Sequence, residues 1–376
     1  MSENAHQAVV VGKALLRREG FLAFSVATVL VFSSLGHRLL ADLSNPVWFA
    51  FIFLWLFSTI LGSALAVVRH ADRLAVRLGE PYGTLILTLS VTSIEVMSIT
   101  AVMMHGENNP TLARDTLFSV IMIIFNGMVG LSILMGSWRH REQHHNLQGA
   151  NAYLGVIIPL AVLSLVLPSY TRTTPDPTLS VLQEIFVVLT TIGLYAAFLG
   201  TQAGRHRSYF TLDSEPEEDP VAVAAARSLL PSVLLLAAYM APVVFLAEQL
   251  AHPVDYVIET LGMPTTIAGV VMAVLVATPE AISAVRAAMA NHLQRSINIF
   301  LGSVLSTIGL TIPAMMIVSY LIGRNIILGL QGTDLVMLLL TLAVSIVTFA
   351  SGRTHILQGI VHMILFAAFL LLIFQN

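Results

Sequence analysis

Eleven apolar runs recur along the 376-residue chain, and they decide what it can fold into. Each run is about 20 residues long, which is enough for an α-helix to cross a bilayer, and none alternates apolar and polar residues as a β-strand would. Only 10% of the residues are charged and 56% are apolar, a composition that excludes an ordinary water-soluble exterior. The sequence therefore predicts an all-α integral membrane protein with about eleven transmembrane helices. The runs lie near residues 19–38, 46–68, 82–104, 116–137, 150–169, 179–201, 228–248, 263–285, 297–323, 333–350 and 356–374.

The basic residues are unevenly distributed over the predicted connections. With the amino terminus inside the cell, only Arg38, Arg114, Arg172 and Arg324 fall on the outer side, and the other fourteen of the 18 lysines and arginines fall inside. Basic connections stay in the cytoplasm, so this orientation is predicted, and an odd number of spans puts the carboxyl terminus outside. Residues 1–20 are polar, and no small-x-small cleavage site follows them. We therefore interpret the next run as a first span and not as a removed signal peptide.

Several classes of function are excluded or disfavoured by what the sequence lacks. The chain has no cysteine, so thiol catalysis and thiolate metal sites are excluded, and its net charge of −3 is too small to indicate a nucleic-acid partner. We find no His-Glu-x-x-His, no Gly-x-Ser-x-Gly and no paired-aspartate motif. The sequence therefore predicts neither an enzyme nor a prosthetic group.

Two glutamates stand deep inside apolar runs. Glu95 lies near the middle of the third run and Glu280 lies in the eighth, and neither has a basic residue within one helical turn. A charged side chain at such depth costs about 2.5–3.5 kcal/mol on insertion scales, so its presence needs a reason. The two acids could be protonated polar residues packed in the helix bundle. Their occurrence at matching positions favours an ion site instead.

The matching positions indicate an internal repeat. The two glutamates are 185 residues apart, and their runs are five spans apart, which inverts the topology of one copy relative to the other. We therefore predict an extra first span followed by two inverted five-helix repeats. The predicted division is residues 1–40 for the tail and extra span, 41–205 for the first repeat, 206–226 for an acidic cytoplasmic linker and 227–376 for the second repeat.

Oxygen-bearing side chains accompany both glutamates, as a site for hard cations requires. Pro279, directly before Glu280, predicts a helix break that would expose backbone carbonyls. An alternative role for the small residues among them is close helix packing. The predicted cation- and proton-binding set is Glu95, Glu280, Thr92, Ser93, Thr278, Asn126, Ser303, Ser306 and Thr307, with the two glutamates as the metal ligands.

Two further polar stretches lie on the predicted cytoplasmic side. Residues 213–219 read Asp-Ser-Glu-Pro-Glu-Glu-Asp, which is typical of a solvated linker and compatible with a cation-attracting or regulatory segment. His140, His144 and His145 lie in one loop. The loop has two interpretations: a solvated connection, or a patch that responds to pH or contacts a metal.

The residues around both glutamates resemble the cation/proton exchanger branch of the calcium/cation antiporter superfamily. Gly79-Glu80-x-x-Gly83-x-Leu85 followed by Glu95 is similar to the first signature of that branch, and Glu280 followed by Gly302-Ser303 and Pro313 is similar to the second. The combination Gly79-Glu-Pro-Tyr-Gly-Thr-Leu-Ile-Leu resembles the bacterial ChaA-type antiporters. One departure is that Val91-Thr92 and Val276-Ala277 stand where the family usually carries Gly-Asn, and fewer strong ligands suit a monovalent ion or a looser site.

The resemblance implies a secondary antiporter that exports calcium in exchange for protons, with sodium and potassium as further candidate ions. The expected partners are these cations, protons and membrane lipids, and a homo-oligomer is compatible with the sequence. The expected location is the bacterial cytoplasmic (inner) membrane. The alternative is a cation channel in which the acids form a selectivity site, although the sequence has no filter-like motif.

Overall fold

The structure is a computed structural model that describes residues 19–78, 82–104, 110–172, 178–211 and 230–375. The acidic stretch 213–219 and the signature residues Gly79 and Glu80 lie outside the described residues. The division into a tail, two repeats and a linker stays a prediction.

The prediction of eleven membrane-spanning helices is confirmed. Eleven helices of the described chain are long and apolar enough to cross a membrane. Large apolar side chains cover much of their outer surface, among them Leu182 and Tyr320, which are 78% and 86% exposed. Such an exterior is stable only where lipid takes the place of water. The helices are α1 Gly20–Leu39, α2 Pro46–Leu78, α3 Tyr82–Met104, α4 Leu112–His140, α5 Leu147–Ser169, α6 Val181–Ala203, α7 Leu230–Thr260, α8 Thr266–Met289, α9 Leu293–Ile322, α10 Gly332–Phe349 and α11 Ile356–Ile373.

Contacts between connections agree with eleven crossings. A two-stranded antiparallel sheet pairs β1 (Glu142–His144), which follows α4, with β2 (Arg353–His355), which follows α10. On the opposite side, the connection between α9 and α10 forms backbone hydrogen bonds with its neighbours. For example, Ile327 N–H donates to the Pro110 carbonyl at 2.8 Å. We call the side that carries residues 69–78, 139–146, 205–211, 286–295 and 350–355 the arginine-rich face, which the sequence predicts to be cytoplasmic.

The helices pack into two apolar cores. One lies mainly among α4, α5, α8, α9 and α10, and the other lies among α1, α2, α3 and α7. The extra first helix belongs to the second core, where α2 and α7 pack extensively against each other. Helix α8 crosses α4, and α3 contacts α9, so helices of each predicted repeat pack against helices of the other. These pairings are consistent with two inverted repeats that meet near the middle of the membrane.

The expected helix break at Pro279 is wrong. Helix α8 runs without interruption from Thr266 to Met289, because a proline removes only one intrahelical hydrogen bond and both flanking segments are long and well packed. Among the described residues, π-helical segments lie in α4, α5, α7 and α9, and two of these helices directly follow the glutamate-bearing helices in the chain. Helix α4 contains the π-helical segment Ile123–Met128, and α9 contains the π-helical segment Thr307–Thr311. Segments of this kind are frequent at functional sites.

Candidate ion-binding site

Glu95 is sealed inside the protein. Its residue is 1% exposed, and two threonine hydroxyls of α9 donate hydrogen bonds to its Oε2. Thr311 Oγ1 lies at 2.6 Å and Thr307 Oγ1 lies at 3.2 Å. Both threonines belong to the π-helical segment, and positions 307 and 311, about one turn apart, face the same carboxylate. Its other oxygen, Oε1, has no hydrogen-bond partner among the described residues.

Glu280 lies on α8 and is only partly buried. The hydroxyl of Ser303, on α9, donates a hydrogen bond to its Oε2. No ion pair of the described residues involves Glu280 or Glu95. Ser303 and Thr307, which donate to Glu280 and Glu95 respectively, lie four residues apart on α9, so the two acids approach the same stretch of this helix. Helix α9 therefore supplies hydroxyl donors to a carboxylate from each repeat.

A cavity of about 400 Å³ leads to one of these acids. Its polar walls include Asp72 of α2, Gln202 of α6 and Arg295 of α9, all of which lie at or near the arginine-rich face. Glu280 lines its inner part, whereas Glu95 does not line it. The structure thus represents a state in which one carboxylate is reached from the arginine-rich face and the other is closed off. The lining residues are Val68, Asp72, Leu87, Thr88, Val91, Tyr153, Tyr195, Phe198, Leu199, Gln202, Glu280, Ser283, Arg295, Asn298, Ile299, Gly302, Ser303, Leu305 and Ser306.

The predicted hydroxyl residues divide into those that reach an acid and those that do not. Ser303 and Thr307 contact Glu280 and Glu95 respectively. The Ser306 hydroxyl lines the cavity but donates to the Ser303 carbonyl at 2.9 Å, and the Thr278 hydroxyl donates to the Val274 carbonyl of its own helix at 2.5 Å. Each hydroxyl oxygen still has lone pairs available to a cation, although neither hydroxyl donates to an acid.

Three other predicted residues, Thr92, Ser93 and Asn126, make no hydrogen bond to either acid within the described structure. Thr92 is buried and its Oγ1 has no hydrogen-bond partner among the described residues, whereas Ser93 is partly exposed. Asn126 is fully buried in the π-helical segment of α4, and its amide nitrogen donates to the Thr341 hydroxyl at 2.9 Å. Its Oδ1 has no partner in the described part of the chain, so an acceptor is left over beside the core.

The sequence reasoning missed Thr311, which makes the shorter of the two bonds to Glu95. The available signal was its position, four residues after Thr307 and therefore on the same helical face. Two tyrosines of the cavity wall, Tyr153 and Tyr195, were also missed, because buried aromatic residues are ordinary in a helix bundle.

The histidine-containing loop is neither solvated throughout nor a metal site of the described residues. His145 is buried, and its Nε2 lies 3.4 Å from the carbonyl oxygen of Phe349. Burial lowers its pKa to about 4, so it is neutral at physiological pH. His140 Nε2 lies 3.0 Å from the Met289 carbonyl, and His144 is exposed on β1. These contacts fix the loop against its neighbours on the arginine-rich face.

The fold and the site define a class of protein. Eleven spans, two acids inside the bundle without a basic partner among the described residues, and a cavity that reaches one of them are the arrangement expected of a secondary ion transporter.

Comparison with known proteins identifies the family. The family model described as sodium/calcium exchanger protein matches residues 48–204 and 231–375. The chain therefore belongs to the sodium/calcium exchanger family, and its resemblance to cation/proton exchangers is confirmed. The described part of the second match covers α7 to α11, and the first covers α2 to α6, so the extra helix α1 lies outside the matched regions.

Relatives and solved structures agree with this assignment. The chain is 42% identical over 314 residues to a putative ionic transporter, y4hA, of Sinorhizobium fredii, covering 83% of this chain and 86% of that protein. It is 38% identical over 319 residues to the sodium-potassium/proton antiporter ChaA of Escherichia coli, covering 84% and 86%. The fold is similar to that of YfkE, with a TM-score of 0.69 and 19% identity over 95% of this chain and 99% of that one. It is also similar to the H+/Ca2+ exchanger CAX, with a TM-score of 0.60 and 14% identity over 93% and 89%.

Proposed function

We propose that the protein is a cation/proton antiporter in which a cation and protons compete for Glu95 and Glu280. The observation that carries the proposal is the pair of carboxylates inside the helix bundle, one buried and one partly buried, both bonded to hydroxyls of α9 and neither neutralised by an ion pair among the described residues. An isolated charge is costly in such surroundings, so each carboxylate must hold a proton or a cation for most of the transport cycle.

Charge balance makes the exchange obligatory. Two carboxylates carry a charge of −2, which is neutralised by one divalent cation, by two monovalent cations or by two protons. The carrier with neither protons nor a cation on these carboxylates has the highest electrostatic cost. We expect this form to convert least readily between the conformations that face the two sides of the membrane. A cation that leaves on one side of the membrane must then be replaced by protons before the carrier returns.

The two acids have different places in the sequence of events. From the arginine-rich face an ion meets Glu280 first, because this residue lines the cavity and Glu95 does not. Transfer to Glu95 brings the ion to the threonine hydroxyls of the π-helical segment. The proposed site residues are Glu95 and Glu280 with Ser303, Thr307 and Thr311, and the earlier candidates Thr92, Ser93, Thr278, Asn126 and Ser306 would supply further oxygens after rearrangement.

The proposed cargo is calcium, with sodium and potassium as alternatives. Six to eight oxygen ligands are typical for calcium, and the carboxylates together with the nearby hydroxyls and the unpaired Asn126 Oδ1 offer oxygens of the right type. One relative is named a sodium-potassium/proton antiporter, and another, from Bacillus subtilis and 22% identical over 309 residues, is named a Ca(2+)/H(+) antiporter. The proposed location is the bacterial inner membrane, with the arginine-rich face in the cytoplasm.

The competing function, a cation channel, is less well supported. A channel requires a continuous polar path, whereas the cavity described here ends at Glu280 and the Glu95 residue is 1% exposed. The two functions are separated by measuring proton movement in everted membrane vesicles on addition of calcium, sodium, potassium or magnesium in turn. An antiporter releases protons from the lumen when its cation is added, and a channel conducts the cation without proton movement.

A further inference from the structure

The extra first helix is attached to α2 by polar contacts inside the membrane. The Ser25 and Ser63 hydroxyls lie 2.9 Å apart, and the Trp55 indole nitrogen donates to the Thr28 hydroxyl at 3.2 Å. All four side chains belong to α1 or α2, which run antiparallel to each other. Bonds of this kind fix one helix against another in lipid, where no water competes for the groups.

The strongest attachment lies at the arginine-rich face, where Glu19 directly precedes α1. Its Oε2 accepts a hydrogen bond from Arg69 at 2.9 Å and another from the Tyr239 hydroxyl at 3.0 Å, and it lies 3.3 Å from His70 Nε2. Arg73 lies 4.0 Å from the other carboxylate oxygen. We call these five residues the Glu19 joint. The joint connects three helices, because Tyr239 belongs to α7 and the other partners belong to α2.

The centre of the joint is buried and closely packed. The Glu19 side chain is 8% exposed, and the residues His70 and Tyr239 are both fully buried. The rings of these two residues stack with their centroids 5.8 Å apart. The Arg69 and Arg73 side chains are 43% and 33% exposed, so the carboxylate is enclosed while its arginine partners also reach the solvent.

The carboxylate of the joint stays ionised at neutral pH. Burial works to raise the pKa of Glu19, but the hydrogen bond from Tyr239, the charge of Arg69 and the hydrogen bond with His70 outweigh it, so the pKa lies below its ordinary value. A carboxyl with a lowered pKa contributes stability above its ordinary range and loses it only as the pH falls through the lowered value. The joint is therefore a permanent ionic contact under physiological conditions.

The same two turns of α2 form the joint on one face and the cavity wall on the other. Arg69, His70 and Arg73 bind Glu19, whereas Val68 and Asp72, one turn apart, line the cavity that leads to Glu280. A movement of this end of α2 relative to α1 that narrows the cavity would therefore also displace the arginines and the histidine from the Glu19 carboxylate.

We propose that Glu19 is a positioning residue of the transport cycle, which clamps the extra first helix to α2 and α7 and thereby favours the state with the cavity open to the arginine-rich face. This role gives the first helix, which lies outside the matched family regions, a function in the cycle. The inference rests on the proposed function only in requiring that the cavity opens alternately to the two sides.

The absence of cysteine from the chain allows a direct test. Ser283 lines the cavity and is exposed, so Ser283→Cys places a single reactive thiol in it. The rate of modification by a membrane-impermeant maleimide is measured in everted vesicles, in which the arginine-rich face is predicted to meet the medium. We expect Glu19→Gln to slow the labelling severalfold and Glu19→Asp to restore part of the rate.

Asp42→Asn is the matched control, because it also changes a carboxylate beside α1 to an amide. Asp42 lies at the opposite end of α1, where it accepts a hydrogen bond from the Ser44 backbone N–H at 2.9 Å. Its labelling rate should equal that of the parent. If Glu19→Gln fails to insert, Tyr239→Phe removes one bond of the joint without removing a charge and should slow the labelling to a smaller extent.

Unchanged or faster labelling in an inserted Glu19→Gln or Tyr239→Phe variant would overturn the clamp. The labelling requires no cation transport, so its result is independent of the exchange assays that test Glu95 and Glu280. If the clamp exists but the protein is not an antiporter, the Glu19→Gln variant will be labelled more slowly although the parent protein shows no cation-dependent proton movement.

Discussion

At the scale of single residues, the account depends on two carboxylates that lie in the membrane without a basic partner among the described residues. An amide has nearly the shape of a carboxyl group, but it neither releases a proton nor carries a charge. The exchange reaction can therefore be removed at Glu95 or Glu280 with little change in packing.

We expect Glu95→Gln and Glu280→Gln each to abolish exchange while the protein still inserts, because the cost of a charge in the membrane falls. The matched controls are Glu184→Gln and Glu248→Gln, whose residues are exposed on α6 and α7 and should be tolerated. The measurement is cation-dependent proton flux in everted vesicles, normalised to the inserted protein. Full activity in either of the first two variants would remove that glutamate from the site.

The residue missed by sequence reasoning provides a second prediction. Thr311→Val keeps the side-chain shape but removes the 2.6 Å bond that stabilises ionised Glu95. A hydrogen bond to a charged group is worth about 1.5–3 kcal/mol, so half-saturation by the cation should rise by about tenfold or more. Thr307→Val, whose bond is 3.2 Å long, should have a smaller effect.

The control for the threonine variants is Thr100→Val, since the Thr100 hydroxyl donates to the Val96 carbonyl of its own helix at 2.7 Å. Vesicle exchange with the cation titrated in each variant gives the three half-saturation values. Equal values for Thr311→Val and Thr100→Val would show that the hydroxyl of Thr311 has no part in binding.

At the scale of helices, the position of the site depends on the close crossing of α8 and α4. A Cβ atom built on Gly269 would lie 2.6 Å from the backbone carbonyl carbon of Asp115, which is too close for any side chain. Gly193 of α6 faces open space, with nothing within 4 Å of a Cβ atom at that position. Alanine substitutions at these two glycines therefore distinguish the effect of helix propensity from the effect of helix packing.

We expect Gly269→Ala to lower the thermal stability of the detergent-solubilised protein, because overpacking costs about 1–3 kcal/mol and exceeds the gain in helix propensity. Gly193→Ala should leave the melting temperature unchanged or raise it. Thermal unfolding followed by size-exclusion chromatography tests both. A melting temperature of Gly269→Ala at or above that of the parent would contradict the close crossing.

Much of this helix-level organisation was predictable from the sequence. Apolar runs of sufficient length can only be helices in lipid, so eleven helices followed from length and hydropathy. The prediction failed at Pro279, where local preference for a break was overridden by the packing of a long helix. It also failed to locate the π-helical segments, because a single additional residue per turn leaves no mark in a hydropathy pattern.

At the scale of the whole molecule, the sequence identified both acids but not their unequal environments. Glu95 and Glu280 occupy corresponding positions of the predicted repeats, yet the cavity reaches only Glu280. This asymmetry is a property of the conformational state and not of the amino-acid pattern, so no comparison of the two segments could predict it. The bonds of the Glu19 joint were likewise not predictable, because its members are separated by as many as 220 positions in the chain.

Competition between protons and the cation predicts a dependence on pH for the complete transporter. Protons occupy the carboxylates at low pH, so half-saturation by the exported cation should fall as the pH on the arginine-rich face rises. His145 does not contribute near neutrality, because burial lowers its pKa to about 4 and His145 is then uncharged throughout the neutral range. Vesicle exchange with the cation titrated at each pH gives this dependence, and a half-saturation value that stays constant would argue against shared carboxylates.

The most direct test of the central claim is the release of protons when the cation binds to purified protein. In weakly buffered detergent solution with a pH indicator, the wild-type protein should release protons in a saturable way on addition of its cation, and the Glu95→Gln/Glu280→Gln double variant should release none. Cation binding to the wild type without proton release, or release that persists in the double variant, would contradict competition for these two glutamates.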